Sequence, residues 1–184
     1  SSQCAIDSYK KVTQLNKRNS TAFFNLAILY EGRMYKNKDK NKKEFLLDKN
    51  SYFLAVDAYI QAVSISKNNP IYINNLARIY ILKKDYVSAK DLINPLINPK
   101  TSRIADPYSL ALLYKNLGWI KFQEKKLDEA YRLLNKSISY KQPFVSAFCL
   151  LAQTKEAQGR SAAQEWEYCF DPDAEDVSNP EVRR

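Results

Sequence analysis

The sequence predicts an all-α fold, a solenoid of about nine helices, and three observations lead there. Gly occurs only three times and Pro falls mostly at apparent segment ends, which favours long helices over many strands and turns. Apolar residues recur at helical spacing along most of the chain. A short phrase also returns: FFNLA at Phe23–Ala27, YINNLA at Tyr72–Ala77 and YKNLG at Tyr114–Gly118. Each copy sets Asn before Leu and a residue no larger than Ala.

The asparagines Asn25, Asn75 and Asn116 lie 50 and 41 residues apart, whereas the small residues Ala55, Ala89 and Ala130 lie 34 and 41 apart. A 34-residue unit accounts for both series if one copy holds 16 extra residues and seven more lie between two others. Within each unit the first helix carries Phe23, Leu26, Ala27 and Tyr30, then Ile73, Leu76, Ala77 and Tyr80, then Phe148, Leu151 and Ala152. The second helix carries Ala55, Tyr59 and Ala62, then Ala89, Ile93 and Leu96, then Ala130, Leu134 and Ser137. Small residues at these places let two antiparallel helices approach closely.

This pattern resembles the tetratricopeptide repeat over about residues 3–170. The resemblance implies a right-handed α-α superhelix and a protein-binding role. Two departures stand out. Pro70 and Pro143 fall one or two places late, and Lys121 and Lys155 stand where the family has Tyr. The stretch from YKNLGW through FCLLAQTKEAQG to EWEYC is also similar to C-terminal repeat modules of bacterial multidomain signalling proteins.

The predicted elements follow in order. Residues 1–19 form the isolated second helix of an incomplete repeat, around Cys4–Tyr9, and a lone second helix leaves an apolar face uncovered. A fragment of a larger protein is therefore expected. Residues 20–69 form a repeat with a basic insertion at about 33–49, and 70–106 form a repeat with an extended linker. Residues 107–143 and 144–170 complete the solenoid of 1–170, with a last helix over Ser161–Phe170. An acidic, irregular tail spans 171–184; Glu165–Asp176 hold six acids and no base.

Composition excludes several chemistries. His is absent, which removes Ser–His and Cys–His nucleophile pairs and most metal sites. Three scattered glycines cannot make a phosphate loop. No catalytic residue, metal or cofactor is expected, and the chain is read as a non-enzyme. No apolar run approaches 18 residues, so no membrane span is expected. Cys4, Cys149 and Cys169 read as buried thiols of a reducing, cytoplasmic compartment and not as a disulfide framework.

The resemblance turns the first helix of each unit towards a concave groove, where Asn25, Asn75 and Asn116 can hold an extended peptide by its backbone. A primary amide offers a donor and an acceptor that match a peptide bond. Equally, each amide can satisfy neighbouring groups between repeats. Phe24, Asn74, Arg78, Lys115, Trp119 and Phe122, within a turn of the asparagines, are the candidates for specificity. Trp119 has a second reading, packed under the seven-residue insertion; Arg78 and Lys115 either pair a ligand carboxylate or are solvated. Leu150 breaks the Asn series in the last unit. The family's clamp for a C-terminal carboxylate needs basic residues where Thr21, Ile71 and Leu112 stand, so that clamp is not expected.

The expected partner is a protein or an extended peptide, with an attached effector domain outside this chain. The alternative is nucleic-acid or anionic-surface binding through Arg33–Lys49, seven basic side chains among three acidic ones in a chain of net charge +9. Interleaved Asn and Asp and the absence of regular aromatic stacking count against it. A third reading is a spacer or an intramolecular lid on an effector domain.

Overall fold

A computed structural model describes residues 2–34, 48–67, 69–98, 106–140 and 145–170. Among these are nine helices: α1 (Ser2–Leu15), α2 (Ser20–Met34), α3 (Lys49–Ile65), α4 (Pro70–Leu82), α5 (Tyr86–Ile97), α6 (Pro107–Gln123), α7 (Leu127–Ile138), α8 (Val145–Ala157) and α9 (Ala163–Cys169). Most of the basic insertion, the core of the extended linker and the acidic tail fall outside the described residues. The chain forms two compact units, Ser1–Ile79 and Tyr80–Arg184.

Short polar side chains start the helices by accepting from otherwise unbonded N–H groups. Asn19 caps α2 at Ala22 N (2.9 Å), and Asn69 caps α4 at Ile71 and Tyr72. Asp48, Asp85 and Asp106 do the same for α3, α5 and α6. Pro70 and Pro107 each stand first in a helix, where a missing N–H costs nothing.

One turn recurs. Lys84, Lys125 and Gly159 adopt φ of 63°, 61° and 72°, the left-handed conformation that ends a helix. After each, an N–H returns to the carbonyl five residues back: Asp85 to Tyr80, Lys126 to Lys121 and Arg160 to Lys155, all at 2.9 Å. Lys84, Lys125 and Gly159 lie 41 and 34 residues apart, the spacings seen in the sequence.

In the first unit α1 packs on α2 and α2 on α3. Ala27, Ala55, Tyr59 and Ala62 have no exposed surface, and Leu26 and Tyr30 are buried beside them. Helix α1 exposes Gln3, Asp7, Lys11 and Gln14 together with Cys4, Val12 and Leu15.

In the second unit α6 packs on α7, α7 on α8 and α8 on α9. Ala89, Ile93, Ala130, Leu134 and Ala152 are fully buried. The two lysines that depart from the repeat pattern tie neighbouring helices together: Lys121 pairs with Glu129 of α7, and Lys155 with Glu165 of α9, each at 2.7 Å.

The cysteines differ from expectation. Cys149 and Cys169 form a disulfide across α8 and α9, and Cys4 is exposed with a free thiol. The sequence places the two residues 20 apart on different helices, and only the turn at Gly159 brings them together. Closing a loop of that length stabilises the folded state by about 3 kcal/mol on the chain-entropy account. The last helix also starts two residues later and ends one earlier than predicted.

Helices α6 and α7 approach closely at Gly118. A Cβ there would lie 2.6 Å from Leu134 Cγ, 2.8 Å from its Cδ2 and 3.3 Å from its backbone nitrogen. Gly118→Ala must therefore displace the Leu134 side chain or push α6 and α7 apart. The expected loss is about 1–3 kcal/mol, as for other overpacked cores, read as a lower urea midpoint. An unchanged midpoint would show that Leu134 moves aside freely.

Candidate functional site

The first helix of each repeat carries the candidate residues, and the two units treat them differently. In the first unit α2 presents Thr21, Phe24, Asn25 and Ile28 along one stripe at helical spacing, with Thr21 and Ile28 exposed and Phe24 and Asn25 half-buried. On α4, Ile71, Asn75 and Arg78 form a parallel half-buried stripe, whereas Asn74 is buried.

Aromatic packing joins these two stripes. The Phe24 ring stacks on Tyr72 at 4.4 Å between centroids and tilts against Tyr59 at 5.8 Å. The Thr21 and Tyr72 hydroxyls are 3.3 Å apart. Asn25 donates an amide hydrogen to the Tyr9 hydroxyl at 3.1 Å. Asn75 donates to the Ile71 carbonyl at 2.8 Å, and its own Oδ1 lies 3.5 Å from the Arg78 guanidinium.

Beneath this face lies a buried charge network that sequence reading missed. Arg78 bonds to Glu31 of α2 with both side chains nearly out of water, and Tyr59 donates its hydroxyl to the other Glu31 oxygen at 2.8 Å. Arg78 thus holds α4 to α2. The available signal was that Glu31 directly follows Tyr30 in the buried stripe of α2. Ile28 was likewise overlooked, although it lies three residues after Asn25.

The second unit buries its copies. Lys115 is 2% exposed, Asn116 is fully buried and Trp119 is 8% exposed, while Phe122 stays half-buried beneath Lys125, whose ammonium lies 5.7 Å from the ring centroid. The seven-residue insertion expected to cover Trp119 is largely outside the described residues. Nearby, Glu124 gathers cations: Lys90 at 2.8 Å, Lys126 at 3.3 Å and Lys121 at 3.9 Å. The hydrogen bond from Lys90 is the main cause that holds the Glu124 carboxyl below its ordinary range, with burial opposing it and Lys126 adding to the shift.

Among the described residues no group of three or more His, Cys, Asp or Glu side chains is placed to hold a metal, and no helix is long and apolar enough to cross a membrane.

No protein-family model matches the chain. Solved structures do resemble it. MamA is 17% identical over 89% of this chain and 84% of its own, with a TM-score of 0.62; a second MamA structure, also 17% identical, gives 0.61 over 89% and 78%. PilF of Pseudomonas aeruginosa is 19% identical over 91% of this chain and 67% of its own, with a TM-score of 0.67. Both are tetratricopeptide-repeat proteins. The fold is the tetratricopeptide-repeat fold.

Two outcomes test these repeats. Arg78→Ala leaves the Glu31 carboxylate buried without its cation, and the expected cost is about 3 kcal/mol of stability, measured by urea unfolding. An Arg78 that serves only a ligand would leave the midpoint in place. Glu124 gives a pH test. Its folded-state pKa lies below the unfolded value, so its contribution is present above the ordinary carboxylate range and lost as pH falls through the folded value. Glu124→Gln should cost up to about 1 kcal/mol at pH 7, given its partial exposure, and the gap to the parent should narrow as pH falls below the ordinary carboxylate range.

Proposed function

We propose that the chain is a non-catalytic protein-interaction module that docks an extended peptide, or an extended segment of a partner protein, on the α2 and α4 stripes of its first unit. The supporting observation is the side-by-side placement of Thr21, Phe24, Asn25 and Ile28 with Ile71, Asn75 and Arg78. Ile28, 45% exposed, offers apolar surface beside the polar amide of Asn25. One amide hydrogen of Asn25 is held by Tyr9, and its oxygen remains suited to accept from a peptide N–H.

Amides alone are too weak for this task. Each net hydrogen bond contributes roughly 0.5–1.5 kcal/mol, against roughly 4–15 kcal/mol for association. Apolar side chains of the ligand on Phe24, Ile28 and Ile71 supply the remainder. In the second unit Phe122 is the half-buried candidate, whereas Lys115, Asn116 and Trp119 are proposed to act from the interior by shaping the helix that carries it. An attached effector domain fits this reading.

The cysteines bear on the compartment. A disulfide persists in oxidising surroundings, so the Cys149–Cys169 bond withdraws the ground on which a cytoplasmic location was expected.

Selection of peptides on the immobilised chain, followed by calorimetry on the selected sequences, tests the proposal. Binding should weaken at least tenfold in a combined Asn25→Ala, Ile28→Asp variant whose melting temperature matches the parent. Equal binding by both proteins would sink the reading. Retention that depends on nucleic acid and disappears with moderate salt would instead assign function to the basic insertion.

A further inference from the structure

The last helix, α9, has seven residues, far short of the length at which an isolated helix holds together in water. Its place over α8 depends on a few contacts. Val145, Cys149 and Cys169 form one buried cluster, with Trp166 packed against it. Phe148 and Tyr168 have ring centroids 4.7 Å apart. Lys155 pairs with Glu165, and the Trp166 indole N–H donates to Glu156 at 2.7 Å. The disulfide is the covalent member of this set, and both of its residues are buried, Cys149 fully and Cys169 with 1% exposure.

We infer that the Cys149–Cys169 disulfide is a redox-sensitive latch that holds α9 as the cap of the terminal repeat. With the bond closed, α9 covers Val145 and Cys149. With the bond open, α9 is held by noncovalent contacts alone, among them the two polar pairs, the Phe148–Tyr168 contact and the packing of Trp166 on Val145. Opening then exposes the apolar face of α8, while α6 and α7 keep their own packing through Ala111, Leu117, Ala130 and Leu134. The reductant is a small dithiol or a protein dithiol. Its thiolate attacks one cysteine sulfur, the S–S bond breaks, and the other cysteine leaves as thiolate and takes a proton. The second thiol of the reductant then displaces the first cysteine, which is protonated in turn. The protein gains two electrons and two protons, and the dithiol becomes a disulfide.

The burial of both sulfurs makes the latch slow to reach while shut, because the attacking thiolate must wait for α9 to lift. Cys4 is exposed at the other end of the chain and free, so it is removed from the count by working in a Cys4→Ser background.

Two measurements decide the matter. Denatured without reductant, the Cys4→Ser protein should show no alkylatable thiol by mass spectrometry, and two after reduction. Amide exchange across Ala163–Cys169 should quicken about a hundredfold on reduction, in line with the loop-closure entropy released, while exchange across Pro107–Ile138 stays unchanged. Cys149→Ser together with Cys169→Ser should reproduce the fast exchange with no reductant present. Two free thiols in the unreduced protein would overturn the latch. So would unchanged protection of α9 after reduction, or an equal loss of protection in α6 and α7, which would make the bond a staple of the whole unit.

Discussion

The structure depends on the close approach of paired helices over positions with no side-chain bulk. Ala27 and Ala55, both fully buried, occupy the packed pair of α2 and α3; Gly118 meets Leu134 across α6 and α7. At that separation a single added methyl has no room, so the small residue fixes how the two helices face each other. Once the faces are fixed, the positions three and four residues away become either core or surface with little freedom between. The returning turn at Lys84, Lys125 and Gly159 ends α4, α6 and α8 in the same way. Two of those three places hold Lys in a conformation that suits Gly, at a cost of roughly 1–2 kcal/mol in unfavourable cases. The bonds from Asp85 to Tyr80 and from Lys126 to Lys121 hold that backbone in place.

Charge follows from the same geometry. A repeat that loses its tyrosine loses a large side chain between its two helices. Lys121 and Lys155 replace the packing with an ion pair to the next helix, Glu129 in one case and Glu165 in the other. In the first unit Tyr30 is kept, and the ion pair moves one residue on, to Glu31, and across to Arg78. A buried pair such as Glu31–Arg78 contributes modest net stability but strongly penalises a lost partner, whereas the Lys121–Glu129 pair is partly open to water. The buried pair therefore fixes which helix faces go together.

The helical pairs were legible in the sequence because a steric requirement repeats in phase. Ala27, Ala77 and Gly118, and Ala55, Ala89 and Ala130, each mark a contact between neighbours close along the chain. The disulfide was not legible. Cys149 and Cys169 belong to no repeating series, and their apolar helical settings resemble those of ordinary buried thiols. The Glu31–Arg78 pair was hidden for a different reason. Charged residues on a helix are usually solvated, and 47 residues separate these two. Of the candidate site, the positions of Phe24, Asn25, Asn75 and Arg78 on the first helices could be read from the phrase, but not their exposure.

Exposure is a property of neighbours, and the three asparagines make that argument concrete. The phrase around Asn25 sits on a helix with Thr21 and Ile28 open to water. The phrase around Asn116 sits on α6, where every residue from Lys115 to Ile120 is buried. A helix buried around its whole circumference must be packed on all sides, so its amide has to meet protein groups and not solvent. The residue three places on differs in step: exposed Ile28 in the first case, Arg78 held by Glu31 in the second, and buried Trp119 in the third. A similar local sequence therefore lies beside open surface in one repeat and in the interior in another. The repeat unit fixes where the amide stands on its helix, and the side chain at the third position along decides whether anything outside the chain can reach it.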